Sequence, residues 1–144
     1  MRPAVQPCVV ALGLFTLLGL PTPPAAAQSL EVVGYAGVLG EWEVSATISP
    51  RPSWWTKEFS GPLTMRHVGV CTQNGPEEKT GEIRLQLSAS RLRGTLVVAG
   101  EPCTLSASLS DVYKGGLTCS GGRKAPLTLW LKELPDLTRA RSPS

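Results

Sequence analysis

The 144-residue chain has little of what most chemistry needs. It carries one histidine, His67, and only two each of methionine, tyrosine and phenylalanine. A Ser-His-Asp relay would have to use His67. No G-x-S-x-G elbow accompanies it and no nucleophile is paired with it by sequence, so the chain reads as non-enzymatic. Charge is sparse as well, at 17% of residues, where a soluble domain usually has about 25%. The 14 Lys and Arg against 11 Asp and Glu are scattered singly, apart from Glu77-Glu78 and Arg123-Lys124. That is no electrostatic footprint for nucleic acid, nor a clear patch for an anionic membrane. No apolar run reaches the length of about 20 residues that a spanning helix needs.

The longest apolar run, Cys8 to Leu20, has 13 residues. It follows Arg2, is broken by Pro21-Thr22-Pro23-Pro24 and ends in Ala25-Ala26-Ala27. This is the pattern of a secretory leader with an A-x-A cleavage site. Residues 1–27 are therefore expected to be removed, Cys8 with them. The product would be periplasmic or extracellular, with no transmembrane segment in the mature chain. Residues 28–133 read as one β domain, and 134–144 as a flexible C-terminal tail.

What the chain does have is alternation. In Arg91 to Leu131 four short strands follow one another. Cys103, Leu105, Ala107 and Leu109 share one face, as do Leu117 with Cys119, and Leu127 with Leu129 and Leu131. Period two over this many residues argues half-buried antiparallel strands and excludes helix, which needs spacings of three and four. Arg93-Gly94-x-Leu96 resembles Lys114-Gly115-x-Leu117, 21 residues on, as a hairpin unit used twice. Gly94 and Gly115 mark either sharp strand bends, as closed sheets require, or ordinary turn ends.

Further strands are expected upstream. Gly40 to Ser49 alternates through Trp42, Val44, Ala46 and Ile48. Leu63 to Cys71 and Gly81 to Ser90 also read as strands. Gln28 to Leu39 is apolar and reads as an edge strand or an arm across a barrel end. Pro50 and Pro52 argue that PRPSWWTKEFSG is a loop or an edge. Seven or eight short strands joined by short turns predict an all-β antiparallel up-and-down meander, closed as a small barrel or, alternatively, packed as a β-sandwich.

Outside the cytosol cysteines form disulfides. A hairpin centred on Asp111 puts Cys103 opposite Cys119 on the apolar face, within bridging reach. Cys71 is then left over, as a free thiol or as a dimer bridge. A zinc site of His67, Cys71, Cys103 and Cys119 is rejected, because strand residues four apart lie about 13 Å from each other. Glu77 and Glu78 are adjacent in a turn, and Glu41 and Glu43 fall on an outward face, so neither pair converges for acid–base work. No cofactor is implied.

Aromatic residues carry the remaining hint. Trp54 and Trp55 stand together in a proline-flanked segment near Phe59, and Trp130 alternates out of the Leu129–Leu131 face. These four are the candidate contact surface. If Trp54 and Trp55 lie on a strand, one turns inward and one outward.

Gly40-Glu41-Trp42, opening the first clear strand, resembles the G-x-W start of calycin barrels, the group of lipocalins, avidins and small bacterial metalloprotease inhibitors. The resemblance rests on these residues and the strand count. It implies that Trp42 closes the narrow end of the barrel. It also implies a second reading, a protease inhibitor that inserts Gln28-Ser29-Leu30 and the arm that follows into a protease cleft. The first reading is an exported binding module for a small apolar ligand or a protein. An empty apolar interior favours the small ligand, and a filled core moves function to the surface.

Overall fold

The computed structural model describes residues 28–69 and 73–134. The strands are β1 (Leu30–Ala36), β2 (Trp42–Arg51), β3 (Lys57–His67), β4 (Glu78–Leu87), β5 (Arg91–Val98), β6 (Glu101–Leu109), β7 (Tyr113–Cys119) and β8 (Lys124–Glu133). Each pairs antiparallel with its neighbours in sequence, and β8 pairs back onto β1, so the meander is a closed eight-stranded barrel. Among the described residues there is no helix. The sandwich alternative is thereby excluded.

The alternation in the sequence becomes the inside and outside of this barrel. Val32, Ile48, Leu63, Ile83, Leu85, Leu92 and Leu129 are buried to within 2% of complete. Each contributes about 1.5–3 kcal/mol relative to exposure. The middle of the barrel is thus packed with side chains, as an eight-stranded barrel allows.

Closure depends on β1. Val32 lies opposite Ala46 on one side and Leu131 on the other, and Gly34 opposite Val44 and Leu129. The segment expected to be an edge or an arm is therefore an interior strand with hydrogen-bonded neighbours on both sides. Gly94 and Gly115 lie inside β5 and β7, not at turn ends. A Cβ on Gly94 would run into the carbonyl oxygen of Arg84, and one on Gly115 into that of Ser106. Adjacent strands approach that closely only where no side chain intervenes.

β3 begins at Lys57, six residues earlier than the apolar pattern suggests, and Pro50 lies within β2. Only residues 52–56 remain as the loop between them. Proline is tolerated here because Pro50 stands near the end of its strand, where few ladder bonds are lost. Pro62 sits inside β3 where the β2–β3 pairing is interrupted between Ala46↔Leu63 and Ser49↔Ser60, with no change of register. The β5–β6 turn is two residues long, Ala99 at φ 48° and Gly100 at φ 79°. Both angles are positive, as in the type I′ hairpin that matches strand twist.

Cys103 lies opposite Cys119, and Leu105 opposite Leu117, in the inferred register. The two sulfurs are at disulfide distance, closing a separation of 16 residues. Cys71 and the leader, residues 1–27, lie outside the described residues. Of the expected tail, Leu134 is described and donates its amide to the Ser29 carbonyl at 3.1 Å; 135–144 lie outside.

Candidate functional site: the open end of the barrel

An up-and-down barrel alternates its loops between two ends. The β1–β2, β3–β4, β5–β6 and β7–β8 connections share one end, and a depression of about 380 Å³ opens there. Its floor is the last layer of the core: Ala36, Met65, Leu96, Leu117 and the Cys103–Cys119 pair. Its rim is charged and aromatic: Glu41, Trp42, Lys79, Glu101, Arg123 and Lys124.

Strand parity puts the rim groups there. Lys79 has the parity of Ile83 and Leu85 and stands opposite Met65. Glu101 has the parity of Cys103 and Leu105. Beyond the apolar run the inward face simply continues with charged residues, which at the barrel end reach water. Sequence reading stopped where the apolar residues stop. Extending the same period by one or two steps would have found both.

Trp42 packs on the core at this end. Its ring meets that of His67 edge-on, with centroids 4.7 Å apart and planes at 68°. The ammonium of Lys79 stands 4.7 Å from the Trp42 ring centroid, a cation–π contact worth about 0.5–1 kcal/mol at an exposed site. Lys79 also pairs with Glu77 at 3.3 Å. Among the described residues the His67 imidazole has no hydrogen-bond partner.

Glu41 is not outward on a strand, as the alternation suggested. It belongs to the β1–β2 loop, because β2 begins only at Trp42. Its carboxylate accepts the Leu39 amide at 2.9 Å. Hydrogen bonds from its own amide and that of Leu39 hold its pKa below the ordinary value. Glu43 does face outward and pairs with Arg66. Across the rim, Glu101 accepts from Arg123 Nη2 at 2.7 Å and from Ser120 Oγ at 3.3 Å. The Arg123 hydrogen bond is the chief cause of a lowered Glu101 pKa. The β1–β2 loop beside the depression carries Val38 and Leu39, both exposed.

The four aromatic candidates do not converge. Trp54 and Trp55 are 97% and 95% exposed, in the β2–β3 loop at the opposite end. Neither turns inward, because the pair precedes the start of β3 instead of lying on it. Phe59 packs against the core. Trp130 faces outward, as its parity requires, and meets Tyr35 edge-on at 6.2 Å. Among the described residues no three His, Cys, Asp or Glu side chains cluster to hold a metal. Cys103 and Cys119, joined to each other, offer no thiolate. No family model, no curated protein and no solved structure matches this chain.

Proposed function

We propose that the chain is an exported, non-enzymatic binding barrel that takes a small amphipathic molecule at the open end that carries Trp42. The apolar part of the ligand rests on Met65, Leu96 and Leu117, and its polar part meets Lys79, Glu101 and Arg123. The observation that carries this reading is the composition of the 380 Å³ depression, an apolar floor under a rim of fixed charges. Binding sites are typically concave and apolar, with a few placed polar groups. The packed middle of the barrel leaves such a ligand the end and not the centre. The place of Trp42 also favours a calycin-like barrel, the kinship its G-x-W opening implies.

The inhibitor reading draws no comparable support. Inserting Gln28–Leu39 into a protease would require pulling β1 away from both β2 and β8.

The test uses 1-anilinonaphthalene-8-sulfonate, an apolar body with one charge. The dye is expected to bind the wild type saturably. An Ala125→Trp variant, which plugs the depression from its rim, should lose that binding while keeping a wild-type melting curve. Trp54→Ala, at the other end, should bind normally. Dye binding that survives Ala125→Trp would sink the proposal. Export is checked separately: N-terminal sequencing of the protein recovered outside the cytosol should begin at Gln28.

A further inference from the structure

The end opposite the depression presents Trp54 and Trp55, almost wholly in solvent, at the tip of a five-residue loop. Two adjacent tryptophans left this exposed are a conspicuous apolar cost on a monomer. Arg51 and Lys57 flank the loop, at the end of β2 and the start of β3. The barrel register then adds to them. Arg51 lies opposite Glu58, Glu58 opposite Gln86, and Gln86 opposite Arg93, in one outward row across four strands. Arg84 stands in the next outward row.

Arg51, Arg84 and Arg93 thus line one groove of about 490 Å³ beside the loop. Its one acidic residue, Glu58, is already engaged by Gln86 Nε2 at 2.9 Å and Thr56 Oγ1 at 3.3 Å. Arg84 is shared with Glu82 at 3.3 Å. Among the described residues Arg51, Lys57 and Arg93 have no carboxylate at ion-pair distance. Arg51 and Arg93, 42 positions apart in sequence, thus stand in one row only three strand spacings, about 14 Å, from each other.

From this juxtaposition we infer that the Trp54–Trp55 end docks on an anionic phospholipid surface. The indole rings enter the interfacial region, where an apolar body with one polar N–H is at home. The Arg51–Arg84–Arg93 groove meets lipid phosphates, which guanidinium groups bind through paired donors. Basic residues near such a surface are attracted over about a Debye length, roughly 8 Å at physiological salt. The rings project from a loop with cations on either side, which suits a fluid charged interface. Because the two loops lie at opposite ends, docking leaves the depression facing water.

The experiment is sedimentation of the protein, as processed at residue 28, with vesicles of phosphatidylcholine alone or mixed with an equal part of phosphatidylglycerol. Binding is expected to the mixed vesicles only, and to weaken as sodium chloride is raised. The double variant Trp54→Ala/Trp55→Ala should bind about tenfold more weakly or worse, with an unchanged melting curve. Arg51→Glu/Arg93→Glu should do the same, and phosphatidylcholine vesicles should stay clear. Full binding by either double variant, equal binding to both kinds of vesicle, or no binding to the mixed ones would overturn the inference. None of these outcomes bears on dye binding at the other end.

Discussion

Arg123, in the β7–β8 turn, donates to the carboxylate of Glu101 at the start of β6, 2.7 Å away across the barrel rim. The contact ties β6 to the β7–β8 turn, beside the disulfide that joins β6 to β7. It fixes the charged side of the depression.

That pair makes the rim sensitive to acid. The Glu101 pKa lies below its ordinary value, chiefly because Arg123 donates to it. A depressed carboxylate contributes stability above its unfolded pKa, about 4.3. The contribution is lost as pH falls through the lower folded value. Wild type should therefore melt slightly above Glu101→Gln at neutral pH, and the two curves should draw together only as pH falls below the unfolded value of about 4.3. The gap is small because solvent screens the pair. A gap that widens on acidification would contradict the assignment.

Removing the staple should matter more. Cys103 and Cys119 close a separation of 16 residues, and a loop of that size confers about 3 kcal/mol. Cys103→Ser/Cys119→Ser should lower the urea midpoint accordingly. Non-reducing peptide mapping of the wild type should recover the 103–119 pair.

Gly115 and Gly116 are neighbours with opposite requirements. A Cβ on Gly115 meets the Ala107 Cα at 2.5 Å, whereas one on Gly116 meets nothing nearer than the Ala125 oxygen at 3.7 Å. Gly115→Ala should cost about 1–3 kcal/mol through overpacking. Gly116→Ala should be neutral or gain up to about 1 kcal/mol from a less flexible unfolded chain. Equal effects in denaturant titrations would mean that β7 does not approach β6 as closely at Gly115 as described.

Ala99 is strained at φ 48°, a conformation that costs an ordinary residue about 1–2 kcal/mol. Asparagine tolerates it and is favoured before glycine in a type I′ turn. Ala99→Asn should raise the denaturant midpoint, by about 0.5–1 kcal/mol in stability. An unchanged or lower midpoint would reject the turn assignment.

The sequence by itself determined most of the strands, though not the start of β3 at Lys57, because facing inward or outward is a local property that repeats every second residue. It also set the Cys103–Cys119 register, since a short turn around Asp111 leaves the hairpin little choice. Period two says nothing about where the first strand goes. Leu30–Ala36 has no local mark distinguishing an arm from a closing strand; that was decided by β8, nearly the whole domain away in sequence. The same holds for charge. Arg51, Arg84 and Arg93 are scattered in the chain and become one groove only because pairing across β2 to β5 sets them in adjacent outward rows. Likewise Lys79, Glu101 and Arg123 meet at one rim because closure brings β4, β6 and the β7–β8 turn around a common end. Closure exchanges the free edges of an open sheet for a ladder between β1 and β8, and no local stretch encodes that pairing.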